Sequence, residues 1–183
     1  MKFPHLHLIV GSKEYREGLK YALVKKDFTI AANAHILVKH PTSNLFDETF
    51  INSLPEKGIP LNNQILKSIC LAKVIGIELF GPVLILKSAD RSKYPELSFD
   101  LPDVDYIKFP NHDKVLFKEE DAMPLMRIAI KPELFLKAAM AIDPEYPFLQ
   151  MFFVEETKAI LIKPKISSEY FGAVGVVMPM MPS

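Results

Sequence analysis

The sequence predicts an α+β protein of antiparallel sheets with helices packed on one face, built from repeated units in which a strand leads into a helix and then into further strands. Three observations predict it. Apolar residues recur at three- and four-residue spacing in the windows 13–26, 62–73 and 132–142, marking three helices. Two or three β-rich runs separate consecutive helices, which favours antiparallel pairing over the strict alternation of a parallel α/β sheet. Fifteen prolines against seven glycines punctuate the chain evenly, with no segment that reads as a disordered linker.

In chain order, Leu6 to Val10 reads as a strand. Lys13 to Lys26 follows as a helix capped by Ser12, with Tyr15, Leu19, Ala22 and Leu23 on its apolar side. Phe28 to Lys39 reads as one long extended stretch. Thr42 to Pro60, with Phe46, Phe50 and Ile51, reads as a surface excursion holding one short helical turn. A second unit begins with a strand at Ile59 to Leu61 and a helix from Asn62 to Lys73, with Ile65, Leu66, Ile69 and Cys70 on one side. The β-rich runs Val74 to Phe80 and Val83 to Lys87 complete it, joined by a Gly81-Pro82 turn. Ser88 to Pro102 mixes charges with two prolines and reads as a second surface excursion. The third unit has a strand at Met126 to Ile130, a helix from Pro132 to Ile142 with Pro132 at the first helical position, and strands at Phe148 to Val154, Ala159 to Lys163 and Gly172 to Met178.

The chain has 183 residues, 49 % of them hydrophobic, and 22 basic against 22 acidic side chains, so its formal net charge is zero. That balance excludes a bulk polycation for nucleic acid and an acidic disordered chain, and the length supports a sizeable core in one domain or one and a half. The single cysteine, Cys70, excludes an internal disulfide and points to a reducing, cytoplasmic setting. Pro4, His5 and His7 interrupt the apolar N-terminal run, so no signal peptide is expected. The most apolar long window, Ser68 to Leu86, holds Lys73, Glu78, Gly81 and Pro82, so no membrane span is expected either.

No Gly-rich phosphate loop, nucleophile elbow or paired-histidine zinc helix is present, and no catalytic residue or cofactor is expected. On a strand, His5 and His7 would share one face and form a possible metal pair, but no Cys or carboxylate lies at a supporting sequence spacing, so no metal site is assigned. The acidic groups Glu119-Glu120-Asp121 and Glu155-Glu156 read as solvated charge beside turns.

Charge is segregated in this reading. The helical windows 13–26, 62–73 and 131–142 hold Lys13, Arg16, Lys20, Lys25, Lys26, Lys67, Lys73, Lys131 and Lys137 against Glu14, Glu17 and Glu133, nine minus three, or +6, leaving −6 elsewhere. A neutral protein can thereby present a basic face to a phosphate backbone, although lysine is also simply a good solvated helix former. The C-terminal Val174 to Ser183 is rich in Val, Met and Pro, which suits either an adaptable peptide groove or a final core strand with a frayed end.

Several segments together resemble the bacterial DNA polymerase III beta subunit, the sliding clamp, in shortened and divergent form. The closing VVMPM (Val176 to Met180) is similar to the clamp's V-V-M-P-M-R-L. MRIAIKPELFLKAAMAI (Met126 to Ile142) resembles the strand and helix that open the last half-domain. KFPNHDKVLF (Lys108 to Phe117) is similar to F-P-D-Y-x-x-V-L-P, AANAHILV (Ala31 to Val38) to A-T-D-G-H-R-L-A, and IPLNNQILKSICLAK (Ile59 to Lys73) to V-P-x-K-x-L-x-E-L-L. The motifs occur in the clamp's order. Departures include Ala32, Asn33 and Ala34 for Thr, Asp and Gly, Ile36 for Arg, Phe117 for Pro and Met181 for the penultimate Arg, in a chain of about half the family's three-domain length.

The resemblance implies a DNA-clamp-like fold, with residues 1–120 as a first clamp-like unit and 121–183 as a second half-domain packed with it. It implies a peptide groove at His35, Leu37, Val115, Val176, Met178, Pro179 and Met180, reshaped by Ala34 and Phe117. It implies helices facing duplex DNA through Lys13, Arg16, Lys20, Lys67, Lys73, Lys131 and Lys137 without reading sequence. The expected function is non-enzymatic: a replication or repair processivity or tethering factor that forms a homo-oligomer and meets DNA polymerase or other replication proteins. The alternative keeps the fold as a protein-interaction module that uses the C-terminal groove without encircling DNA.

Overall fold

The computed structural model describes residues 3–11, 15–71, 74–88, 96–116, 131–144, 149–153, 159–165 and 168–178. Its elements in chain order are β1 (Tyr21–Val24), β2 (Phe28–Ala32), β3 (Ile36–Pro41), α1 (Glu48–Ser53), β4 (Ile59–Asn62), α2 (Asn63–Leu71), β5 (Val74–Phe80), β6 (Val83–Ser88), β7 (Leu97–Asp100), α3 (Pro132–Ile142), β8 (Leu149–Phe152), β9 (Ile160–Pro164) and β10 (Val174–Val177). A seven-stranded sheet runs in the order β4-β1-β2-β3-β10-β9-β8, and a three-stranded sheet in the order β5-β6-β7. Every pairing is antiparallel. This is the α+β class that the spacing of helices and strands predicts.

The larger sheet joins the two ends of the chain, because β10 lies beside β3 with Val176 opposite Leu37 and Val177 opposite Ile36. Period-2 alternation then divides its side chains between two apolar clusters. Ala22, Val24, Ile36, Val38, Ile160, Ile162 and Val177 point into one, together with Ile65, Leu66 and Ile69 of α2, Ala138, Ala141 and Ile142 of α3, and Leu6, Ile9 and Val10. Phe46 and Phe50 belong to the same cluster, as do Leu84 and Leu86 of the smaller sheet. Leu23, Ile30, Ala32, Leu37, Leu161 and Val176 point the other way, where Val104, Phe109 and Leu116 cover them.

α2 and α3 form where the periodicity places them. Asn62 Oδ1 accepts from Ile65 N at 2.9 Å, satisfying an amide at the start of α2. Pro132 opens α3, and Lys137 reaches Glu133 one turn back at 2.9 Å. α3 closes tightly on β10 because Gly175 has no side chain: a Cβ there would stand 3.0 Å from both Ile142 Cδ1 and Val38 Cγ2. His40 of β3 is fully buried and its Nε2 lies 2.8 Å from the Ala141 carbonyl, tying sheet to helix; burial lowers its pKa to about 4.

Four expectations need correction. The window 13–26 is not a helix: among its described residues, Glu17–Lys20 is a 3₁₀ turn and Tyr21–Val24 is strand β1. Leu23 enters one cluster while Ala22 and Val24 enter the other, so a strand buried on both faces shows a continuous apolar run that also satisfies helical spacing. Leu6–Leu8 is a 3₁₀ turn rather than a strand. Phe28 to Lys39 is a hairpin rather than one extended stretch, turned by Asn33, whose Oδ1 accepts from the amides of His35 and Ile36 at 2.8 Å each. The second surface excursion contains a strand, β7, which pairs with β6. The strand expected at Met126 to Ile130 lies outside the described residues.

Candidate functional site

The seven expected groove residues divide into four groups. Leu37 and Val176 are cross-strand partners at the β3–β10 junction, 4 % and 2 % exposed, and form an apolar floor in the second cluster. At the edge of that floor the Met178 amide donates to the His35 carbonyl at 3.1 Å, extending the ladder past β10. His35 is exposed, and Met178 is 39 % exposed. Val115 follows the 3₁₀ turn His112–Lys114 and is 38 % exposed, while its neighbour Leu116 packs against the second cluster. Pro179 and Met180 lie outside the described residues, as does Phe117.

The exposed chemistry here is a thioether and an imidazole at the strand edge, while the cluster that holds Leu37 and Val176 is already covered by Val104, Phe109 and Leu116. Two cavities, of about 280 and about 560 Å³, lie elsewhere, and neither is lined by a groove residue. The smaller lies between Phe3, Phe46, Cys70 and Ile77, and the larger between Pro55, Ile59, Pro82 and Val104.

The expected DNA-facing cations do not share one helical surface. Lys67 stands exposed on α2, and Lys131 stands exposed immediately before α3. Lys137 on α3 is engaged with Glu133. Arg16 and Lys20 lie beside and on the 3₁₀ turn whose Leu19 belongs to the second cluster, the layer opposite to α2 and α3. Lys20 is itself paired with Glu17 at 2.7 Å, and this exposed pair holds the Glu17 carboxyl below its ordinary range. Lys13 and Lys73 lie outside the described residues.

Removing window 13–26 leaves +3, and within the bounds of α2 and α3 themselves Lys67 and Lys137 stand against Glu133, two minus one, or +1, with Lys131 just before α3. The +6 is therefore not a property of the helices. Window 13–26 supplied half of that sum, five minus two, or +3: Lys20 lies on the 3₁₀ turn, and Lys25 and Lys26 lie in the loop after β1.

Local spacing could not show that β3 and β10 pair directly, and only the resemblance brought Leu37 and Val176 together. Sequence reasoning missed that Cys70 of α2 arrives beside His5 and His7. The acidic groups Glu119 to Asp121 and Glu155-Glu156 lie outside the described residues.

The arrangement as a whole is the fold of the bacterial DNA polymerase III beta sliding clamps, in divergent form. The chain is similar to the H. pylori beta clamp, with 10 % identity over 97 % of this chain and 62 % of that one, at a TM-score of 0.65. It is likewise similar to the beta subunit from DNA polymerase of Streptococcus pyogenes, with 11 % identity over 97 % and 63 % of the two chains and a TM-score of 0.65. The DNA polymerase sliding clamp from Bacillus subtilis matches with 12 % identity over 99 % and 64 %, at a TM-score of 0.61. The chain thus spans less than two thirds of the length of these solved clamps. No family model matches the sequence, and no curated protein matches it. Among the described residues, no helix is long and apolar enough to cross a membrane.

Proposed function

We propose that this chain is a non-enzymatic, sliding-clamp-like tethering factor for DNA replication or repair, acting as a homo-oligomer around duplex DNA in the cytoplasm. The observation that carries this reading is the clamp fold extending over 97 % of the chain despite 10 % identity. In this reading residues 1–120 are a first clamp-like unit and 121–183 a second half-domain, joined through the β3–β10 pairing. Lys67 and Lys131 contact phosphates without base readout, joined by Lys13, Lys73 and Lys137, while Arg16 and Lys20 act at the rim. His35, Leu37, Val115, Val176, Met178, Pro179 and Met180 receive a short segment of a polymerase or another replication protein.

A ring holds DNA by topology, so weak and salt-sensitive contacts suffice. Light scattering coupled to size-exclusion chromatography tests the assembly: an oligomer at high concentration is expected, and a chain that stays monomeric refutes the ring. Combined Lys67→Ala and Lys131→Ala should lower the dependence of log affinity on log salt by up to about 2. An unchanged slope would remove these two residues from the DNA surface.

The net +1 on α2 and α3 favours a second reading, a protein-interaction module that uses the β3–β10 surface without encircling DNA. Removing residues 178–183 should then abolish capture of a replication polymerase in a pull-down while circular dichroism stays native. Retained capture would contradict this second reading.

A further inference from the structure

We propose that His5, His7 and Cys70 form a binding site for a borderline-soft divalent cation of the zinc class. One ligand atom from each of the three residues lies within 4.8 Å of the others, in the grouping that the described residues bring together. Tetrahedral zinc with bonds of about 2.0–2.3 Å places its ligands roughly 3.4–3.7 Å apart, so closure needs a shift of about 1 Å, within reach of a side-chain rotation.

The backbone beneath the histidines is already held. The His5 amide donates to Met140 O at the end of α3. Asn63 Nδ2, at the start of α2, donates to both His7 O and Val10 O, and Asn33 Nδ2 donates to Ile9 O at 3.1 Å. Cys70 projects from the last turn of α2 with its Sγ 3.7 Å from Phe3 O. The two imidazole rings lie 5.5 Å apart.

His7 Nδ1 is buried and has no hydrogen-bond partner, a cost that a metal bond would relieve. Burial first, and then the neighbouring His5 and Lys67, lower the His7 pKa, and neutral imidazole is the form that ligates. Two imidazoles with one sulfur and no carboxylate favour zinc-like ions over magnesium or calcium. Burial keeps the Cys70 thiol protonated, so binding releases that proton to solvent as the thiolate–metal bond forms. Lys67 is the nearby cation that opposes the ion. The three ligands leave a fourth position for water. The bound ion would fasten the N-terminal segment to α2, two parts of the chain that the sequence keeps far apart.

The test uses the full chain under reducing conditions, with zinc affinity measured by competition against a chromophoric chelator and with cobalt(II) as a spectroscopic substitute. One ion per chain is expected, with the intense visible absorption of tetrahedral cobalt and a thiolate-to-cobalt charge-transfer band. Cys70→Ser and His7→Gln should each weaken zinc by at least about 10-fold, and Cys70→Ser should abolish the charge-transfer band. Cys70 is the chain's single cysteine, so zinc should also slow alkylation of the wild-type protein, a readout that needs no variant to fold. A cobalt spectrum without the thiolate band, or alkylation of Cys70 at the same rate with and without zinc, overturns the site.

Discussion

The two faces of the seven-stranded sheet are covered by opposite means. On one, α2, α3 and the N-terminal segment contribute Leu6, Leu66 and Ile142, all fully buried, and His40 and Asn63 tie strand, helix and segment together. On the other, the cover is the irregular chain around Val104–Tyr106 and His112–Lys114, which places only partly buried side chains on Leu37, Leu161 and Val176. The same strands supply both faces by simple alternation, so the difference lies in the cover. A helical layer packs as a unit with the core, whereas an irregular segment held by a few contacts opens at lower free energy. The asymmetry is therefore one of cover: a packed helical layer on one face and an irregular segment on the other.

Breaking the stronger face has the largest expected effect. Ile142→Ala leaves a void where α3, Gly175 and Val38 meet, and should cost about 4 kcal/mol of unfolding free energy in urea. A loss below about 1 kcal/mol would show that the helix layer is not integral to the core.

Acid acts on the same face through His40. Its pKa is lowered from 6.5 to about 4 by burial, so as pH falls the unfolded chain takes up the proton first. The stabilisation is complete above pH 6.5 and is lost between pH 6.5 and 4, a fall of about 3 kcal/mol. Urea titrations across that range measure it, and His40→Gln should flatten this limb of the curve. An equal slope in the variant would assign the acid sensitivity to other groups.

The weaker face is tested at Gly18, where a Cβ would sit 2.0 Å from the Lys108 carbonyl oxygen. Gly18→Ala should lift the covering segment at a cost of about 1–3 kcal/mol, seen as faster amide exchange at Ile107 and Leu116 with α3 unaffected. Uniform loss of protection across both faces would contradict their independence.

How far these faces were legible depends on the range of the interaction. The α2 and α3 windows are half-buried helices, so their apolar stripes stand out against polar residues, and the Gly81-Pro82 turn marks its own hairpin. β1 misleads because YALV is buried on both sides and carries no polar contrast. The β2–β3 turn is hidden in an otherwise apolar stretch, since a single Asn side chain makes it. The His5, His7 and Cys70 grouping and the Leu37–Val176 pair arise from contacts between distant segments, and no local spacing encodes them. The family resemblance placed Leu37 and Val176 together where periodicity could not, and the two are cross-strand partners. The basic helix face went the other way: once window 13–26 becomes turn and strand, its charge no longer sits on a helix beside α2 and α3.

The central claim is that the chain tethers by encircling DNA, with the helical layer toward the duplex and the loosely covered face toward its partners. Retention on DNA tests it most directly: the protein is incubated at high concentration with a nicked circular plasmid, passed through gel filtration at raised salt, and compared with the same sample linearised beforehand. The account predicts protein co-eluting with the circle and lost from the linear form. Equal retention on both, or on neither, would contradict it.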